Sequence, residues 1–309
     1  MIPYTKADRA GALVPTGRVV LAVALLAVLL PAAAAPAAKL NLLFYGNSFT
    51  LGSGSTRSVD ALVKDIATAA GQMTPYVVSG AQSGWTLGQH LATNTGIITS
   101  AIAPGQTWDY VILQDYSTRP THIGNLAAHR ADFVSMYQAV AAHSPAAGVI
   151  GFETWARAPG HSFYEGASPS FPGGPAQMQQ ELRDGYALST ADVNALAGAG
   201  TSRIAPVGDA WESTGWSNLH STDLYHANNR GTLLAALVIY GNIYEDDVSD
   251  IDLSGVLSSL GMPSAYGTYL AGVADQFIVP EPSAALLLVF GGAAMLRRQK
   301  GRRHGRRVA

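Results

Sequence analysis

The stretch Lys39-Leu-Asn-Leu-Leu-Phe-Tyr-Gly-Asn-Ser-Phe-Thr50 decides the fold class of this chain. Its apolar run over residues 40–45 is too short for a helix and is typical of a strand buried on both faces of a parallel sheet. The run ends at Gly46, where the chain can turn sharply, and a hydroxyl follows at Ser48. Strand, tight turn with a serine, then helix is how α/β enzymes present a nucleophile at the carboxyl edge of the sheet. A serine that only caps a helix is the plainer interpretation and stays open at this point.

Strand and helix patterns alternate through the body of the chain. Such alternation indicates a parallel sheet with helices on both faces. The sequence therefore predicts an α/β fold, a three-layer α/β/α domain with a five-stranded parallel sheet, over residues 39–250. A helical extension or linker is predicted over residues 251–278. The predicted strands are residues 40–45, 75–79, 108–114, 148–154 and 202–207.

Composition and charge limit the classes of function. With 309 residues, of which 48% are hydrophobic, the chain can build a sizeable core. The absence of cysteine excludes disulfides and thiolate-bound metals. Between Lys39 and Glu281, nine lysines and arginines face 20 acidic residues, so the body is a poor candidate for nucleic-acid binding.

The amino-terminal end has the layout of a targeting segment. Residues 1–38 combine a basic start, an apolar segment over 19–30 and an alanine-rich region, as a secretory signal peptide does. A retained membrane anchor is the alternative, although the apolar segment is shorter than the ~20 residues of a spanning helix. We therefore expect cleavage after export.

The carboxyl-terminal end, residues 279–309, has three parts in order. Pro280-Glu-Pro282 precedes an apolar run, and a cluster of arginines follows. This tail resembles the PEP-CTERM sorting signal of Gram-negative bacteria. The resemblance implies a transmembrane helix that tethers the chain transiently to the inner membrane, removal of the tail by an exosortase, and release from the periplasm to the cell surface or extracellular matrix. A plain membrane anchor is the alternative.

Groups capable of catalysis follow the predicted strands at their carboxyl ends. Ser48 follows the first strand, Gly84 the second and Gln114 the third, while Asp223-Leu-Tyr-His226 lies in the loop after the fifth. A histidine can accept the serine proton, and a carboxylate on its other ring nitrogen fixes the tautomer. Asp-x-x-His alone is a common surface pattern, but its position just before the last helix of the sheet domain favours a role beside Ser48.

Four short segments together resemble the sequence blocks of the SGNH (GDSL-like) hydrolases. They are Gly46-Asn-Ser-Phe-Thr50, Ser83-Gly-Trp-Thr86, the strand end at Gln114, and Asp223-Leu-Tyr-His226. The resemblance covers about residues 39–244 and implies the flavodoxin-like fold of that family.

The resemblance also implies the role of each matched residue. Ser48 would be the nucleophile, His226 the general base and Asp223 its orienting carboxylate. The oxyanion hole would comprise the backbone N–H groups of Ser48 and Gly84 and the side-chain amide of Gln114. The family usually has asparagine at the position of Gln114, and this departure bears on activity. The departures at Asn47, usually aspartate, and Ala227, frequently proline, are minor.

The function expected from these residues is that of an exported serine esterase that needs no metal and no organic cofactor. Its substrate would be an ester, for example acetyl groups on extracellular polysaccharide, and the reaction would pass through an acyl-Ser48 intermediate. One alternative is a glycan-binding surface or matrix protein with weak or no catalysis, which Gln114 and the tail both favour. Another is an acyltransferase that uses the same triad.

Several further side chains have a functional and a structural interpretation. Trp85, Trp155 and Trp211 lie on or beside the loops of the catalytic edge and could form a stacking wall for a sugar ring, or pack in the core. His220 lies near the Asp-x-x-His pair, so a metal site is a weaker alternative to the triad. Arg157 is expected to pair with a surface acid.

Overall fold

The first strand lies inside the sheet, with a neighbouring strand on each side and apolar side chains on both faces. The computed structural model describes residues 38–54 and 56–278, in which five parallel strands form one sheet. This confirms the predicted five-stranded parallel sheet. The strands are β1 Asn41–Tyr45, β2 Tyr76–Ser79, β3 Tyr110–Leu113, β4 Gly148–Phe152 and β5 Ser202–Ala205. They lie side by side in the order β2-β1-β3-β4-β5.

Helices follow the strands and cover both faces of this sheet. They are α1 Ser48–Leu51, α2 Val59–Ala69, α3 Leu87–Thr93, α4 Ile97–Ser100, α5 Leu126–Ala141, α6 Gly174–Ala197, α7 Val207–Ser213, α8 Asn229–Tyr244, α9 Ser254–Ser259 and α10 Ser264–Ala274. Alternate residues of β1 enter two separate cores, because successive side chains of a strand point to opposite faces. Leu42 and Phe44 pack with α2 and α8 on one face, while Leu43 and Tyr45 pack with α3, α5 and α6 on the other. All four side chains are fully buried.

The α8 helix is buried on all sides, from Gly231 to Ile243. A helix that is apolar all round needs partners all round. The sheet and α2 cover part of its surface, and α10 packs against it as well. Residues 251–278, predicted as an extension or linker, thus contribute helices whose apolar side chains belong to the same core.

The predicted targeting segments, residues 1–38 and 279–309, lie outside the described residues except for Ala38. Within residues 38–54 and 56–278, no helix combines the length and the apolar character needed to cross a membrane.

Candidate active site

Ser48 begins a single helical turn directly after β1. Asn47 caps this turn, since its Oδ1 accepts a hydrogen bond from the Phe49 N–H at 3.1 Å. Gly46 makes the turn possible, because a Cβ atom there would lie 2.7 Å from Gln114 Oε1. The turn is therefore packed against the end of β3, and the Ser48 side chain is left partly exposed at the carboxyl edge of the sheet.

The structure brings Ser48, His226 and Asp223 together in one row of hydrogen bonds. Ser48 Oγ lies 2.9 Å from His226 Nε2, although the two residues are far apart in the sequence. His226 Nδ1 lies 2.7 Å from Asp223 Oδ2. With Nδ1 donating to the carboxylate, Nε2 is free to accept the serine proton, which is the arrangement that nucleophilic catalysis by serine requires.

The second oxygen of Asp223 shapes the loop that holds the histidine. Asp223 Oδ1 accepts from the N–H groups of Tyr225 and His226, each at 2.9 Å, and Leu224 between them has a φ of 60°. Such side-chain-to-backbone bonds form an Asx turn. One carboxylate therefore positions both the imidazole ring and the backbone from which it extends.

The charge of Asp223 is held by these same contacts. Burial alone would raise the pKa of the Asp223 carboxyl, but hydrogen bonds from the His226 ring and from the backbone N–H groups of His226 and Tyr225 outweigh it. The net effect is a pKa below its ordinary value, so the group is a carboxylate at neutral pH. The Asp223 side chain is nevertheless 45% exposed, so solvent screens part of its charge.

The two backbone N–H groups predicted for an oxyanion hole, those of Ser48 and Gly84, make no hydrogen bond within residues 38–54 and 56–278. Gly84 is exposed and has a φ of 76°, which glycine adopts without strain. Asn47 Nδ2 donates to the carbonyl of Trp85 at 3.1 Å and so ties the Gly84 turn to the serine turn.

Gln114 does not occupy the predicted position in an oxyanion hole. Its side chain is fully buried, and its amide nitrogen donates to the carbonyl of Asp115. Its Oε1 accepts from the Asn47 N–H at 2.8 Å and from the Thr50 hydroxyl at 3.0 Å. The extra methylene relative to asparagine is used to support the Ser48 turn from beneath, where no substrate can reach the amide.

Trp155 and Trp211 do not form a substrate wall. Both are fully buried and stack face to face at 4.1 Å, and Trp155 stacks on Phe49 at 4.2 Å. Trp155 Nε1 donates to the carbonyl of Tyr225 at 3.1 Å. This column of rings supports the serine turn and the histidine loop together. Trp85 alone of the three predicted tryptophans is partly exposed, next to Gly84, so its predicted contact with substrate stays a prediction.

Arg157 differs from the expected surface pair with an acid. It is 3% exposed, its guanidinium lies 3.6 Å from the centre of the Tyr225 ring, and its Nη2 donates to Ser117 Oγ at 2.9 Å. Burial lowers its pKa to about 10, which leaves it charged at neutral pH. The guanidinium makes a cation–π contact with Tyr225 in place of an ion pair with a carboxylate. This contact holds Tyr225, the residue that precedes His226, in place.

A buried pair that sequence reasoning missed connects β3 to the Gly84 turn. Asp115 Oδ2 lies 2.9 Å from His129 Nδ1, and both side chains are inaccessible to solvent. Asp115 Oδ1 accepts from the N–H groups of Leu87 and Tyr116 at 2.9 and 2.8 Å. The only sequence signal for this pair was the position of Asp115 just after β3. The position of His129 within α5 gave no indication that it would contact Asp115.

His220 is used inside the fold. Its Nε2–H donates to the carbonyl of Ala156 at 2.9 Å, and its ring packs edge-on against Trp211. Burial lowers the pKa of His220 to about 4. In residues 38–54 and 56–278, no group of three or more histidines, aspartates and glutamates is placed to hold a metal ion.

Comparisons with known proteins bear on the fold. No protein-family model matches the sequence, and no curated protein matches it significantly. A proposed SGNH hydrolase from Slackia heliotrinireducens has a similar structure, with a TM-score of 0.52 and 22% identity over 67% of this chain and 100% of that one. A DUF4886 family protein from Bacteroides uniformis has a TM-score of 0.57 and 16% identity over 77% of this chain and 94% of that one. The described domain therefore has the α/β fold of the SGNH hydrolases, and at these identities the likeness concerns the fold alone.

Proposed function

We propose that this protein is a serine esterase of the SGNH type, which hydrolyses esters through an acyl-Ser48 intermediate. The observation that carries the proposal is the hydrogen-bonded row of Ser48, His226 and Asp223 at the carboxyl edge of the sheet. In open parallel sheets this edge is where ligands bind. The fold likeness to an SGNH hydrolase supports the same chemistry.

The reaction follows from the roles that the geometry allows. His226 Nε2 takes the proton of Ser48 as its Oγ attacks the ester carbonyl carbon. The N–H groups of Ser48 and Gly84 stabilise the oxyanion of the tetrahedral intermediate. When the intermediate collapses, the C–O bond to the alcohol breaks, and the alcohol leaves with the proton from His226. Water then attacks the acyl group, gives a proton to His226, and the acid departs as Ser48 regains its hydrogen.

The oxyanion hole of this proposal has two backbone donors and no side-chain amide. Removal of one such donor typically costs about 2.7–4 kcal/mol of transition-state stabilisation. We therefore propose an enzyme that turns over alkyl esters more slowly than it would with a third donor. We propose acetyl esters of extracellular polysaccharide as its substrates, and the partly exposed Trp85 beside Gly84 supports a sugar in the alcohol portion.

The test is hydrolysis of p-nitrophenyl acetate by the purified protein. We expect turnover in the wild type and none above background in Ser48→Ala. Ser100→Ala, on an exposed position of α4, is the matched control and should keep full activity. Trapping of an acetyl group on the Ser48 peptide by mass spectrometry would identify the nucleophile directly.

A second candidate function is supported by the position of Gln114. Because its amide is tied to Asp115 and cannot reach a substrate, the fold is also compatible with a glycan-binding surface protein that has lost catalysis. Equal rates for wild type and Ser48→Ala, together with binding of the polysaccharide by both, would favour this candidate. Acetyl transfer to added sugar in place of hydrolysis would identify an acyltransferase.

We further propose that the protein is exported and processed at both ends. The support is the order of parts in residues 1–38 and 279–309, a signal-peptide layout and a tail like the PEP-CTERM signal. An exosortase would remove the tail, and the mature protein would lie at the cell surface or in the matrix. Mass spectrometry of the protein recovered outside the cell tests this. Peptides from the arginine cluster on that protein would contradict the processing step.

A further inference from the structure

A cavity of about 480 Å³ opens beside the catalytic edge. It shares the loop of the base, because Ser221 lines it and the Ser221 N–H donates to the His226 carbonyl at 2.7 Å. It also begins just after the nucleophile, because Ser53 and Gly54 follow α1, a single turn about 6 Å long. The remaining walls are the start of α8 with Arg230, and the turn between α9 and α10 with Met262 and Pro263.

Arg230 faces this cavity without a carboxylate partner. Its guanidinium stacks on the ring of Tyr266 at 4.2 Å, and no acidic side chain of the described residues pairs with it. Arg157, the other arginine without an ion pair, is enclosed by aromatic rings. The remaining arginines of residues 38–54 and 56–278 all pair with acids, as Arg57–Asp65, Arg119–Asp132, Arg130–Asp192, Arg183–Asp209 and Arg203–Glu245.

An unpaired arginine is unusual in a body where acidic residues outnumber basic ones. A guanidinium held flat on an aromatic ring keeps its N–H edge available, and that edge matches the two oxygens of a carboxylate. The cavity also offers the hydroxyls of Ser53 and Ser221, which make no hydrogen bond within the described residues. On the other side it offers the apolar surfaces of Met262 and Pro263.

We propose that this cavity binds an acidic sugar residue of the substrate, with Arg230 paired to its carboxylate. The two hydroxyls would bond to the hydroxyl groups of the sugar, and the apolar wall would cover a ring face. The volume falls within the range of small-molecule sites. This inference rests on the proposed esterase function and narrows its substrate class to acetylated polysaccharides that contain uronic acids, with the ester on a residue next to the one held here.

Binding without catalysis tests the subsite by itself. The protein with Ser48→Ala is titrated by calorimetry with non-esterified oligogalacturonate and, as a neutral probe, with cellotetraose. We expect the acidic probe to bind about tenfold more tightly or better, and Arg230→Gln to remove this preference. Arg130→Gln is the control for net charge, because it removes an arginine of α5 that pairs with Asp192 of α6. In the Ser48→Ala background it should bind both probes as the Ser48→Ala protein does. Equal binding of both probes, or unchanged binding in Arg230→Gln, would overturn the proposal.

Turnover separates this proposal from the one on which it rests. Arg230→Gln should affect the hydrolysis of p-nitrophenyl acetate much less than that of acetylated oligogalacturonate, because p-nitrophenyl acetate has no carboxylate to pair with Arg230. On acetylated oligogalacturonate its KM should rise about tenfold with kcat nearly unchanged, as expected for loss of uniform binding. If no variant hydrolyses either ester but oligogalacturonate binding depends on Arg230, the esterase proposal fails and the subsite stands. If both esters are hydrolysed with the same KM by wild type and Arg230→Gln, the subsite fails alone.

Discussion

Replacement of Asp223 by asparagine should remove most of the proposed esterase activity while leaving the fold intact. The introduced side chain would have a choice of two orientations. In one, its carbonyl oxygen keeps the bonds from the N–H groups of Tyr225 and His226, and its NH₂ group faces His226 Nδ1. In the other, the carbonyl oxygen keeps only the bond from His226 Nδ1–H, and the NH₂ group faces the N–H groups of Tyr225 and His226, which are also donors. At about 1 kcal/mol per hydrogen bond, the first orientation is favoured.

In that orientation the imidazole must change its tautomer. The NH₂ group requires an acceptor at Nδ1, so the proton moves to Nε2, which then donates toward Ser48 and cannot take its proton. The same exchange in serine proteases lowers kcat about 10⁴-fold. Because the Asp223 side chain is 45% exposed, water can hydrogen-bond to the His226 ring in the variant and so lessen the effect on kcat. We therefore expect a loss of about 10²–10⁴-fold, equivalent to about 2.7–5.4 kcal/mol.

The assay is p-nitrophenyl acetate hydrolysis, with urea unfolding of the same samples. Asp223→Asn should unfold near the wild-type midpoint, because the Asx turn is kept. Asp223→Ala loses both turn bonds as well and should be less stable by about 1–3 kcal/mol. If Asp223→Asn retained more than a tenth of wild-type activity, the assignment of Asp223 as the orienting carboxylate would be wrong.

Three further predictions concern the support of the site and its response to pH. Gly46→Ala places a Cβ 2.7 Å from Gln114 Oε1, so it should lower the free energy of unfolding by about 1–3 kcal/mol and reduce kcat, as measured by urea unfolding and p-nitrophenyl acetate turnover. Gln114→Leu leaves the buried Asn47 N–H without its acceptor and should destabilise by about 1–3 kcal/mol, whereas an equally stable variant would contradict the supporting role. The pKa of His220 is about 4 in the folded protein, against ~6.5 in the unfolded chain. Between these two pH values the unfolded state binds a proton that the folded state does not. The free energy of unfolding should therefore fall by up to about 3 kcal/mol as the pH drops from 6.5 to 4. His220→Gln should flatten this decline in urea unfolding and the control His143→Gln should not; parallel curves for wild type and His220→Gln would refute the buried neutral ring.

The sheet could be predicted from sequence because its signal is local. The run over β1 is apolar at every position that is buried, and a strand with two buried faces produces that pattern directly. The Asp223 to His226 spacing is also local, since one Asx turn brings the two side chains together. The distance of 2.9 Å between His226 Nε2 and Ser48 Oγ depends on the order of the strands in the sheet. The proximity of the two residues was predicted from the order of the elements along the chain and from the family likeness.

The errors concern the direction in which side chains point after a strand has ended. Trp155 follows β4 in an extended segment that is buried as far as Ala158, because the histidine loop lies over it. Arg157 is buried for the same reason, and its partner Tyr225 lies on that loop. The hydrophobic periodicity of one segment does not reveal that a segment distant in the sequence will bury it. Trp211, on α7, is covered in the same way, because its ring packs against Trp155 and His220 from other segments.

The two departures at Asn47 and Gln114 from the family pattern are parts of one hydrogen-bonded unit. Asn47 donates through Nδ2 to the carbonyl of Trp85, which an aspartate could not do, and through its backbone N–H to Gln114 Oε1. Gln114 in turn donates through its amide nitrogen to Asp115, whose carboxylate holds the N–H groups of Leu87 and Tyr116. The ends of β1 and β3 and the turn that carries Gly84 are thereby fixed to one another by buried side chains. Since the Gln114 amide is used within this unit, we expect the backbone N–H groups of Ser48 and Gly84, which the unit holds in place, to stabilise the oxyanion of the proposed reaction.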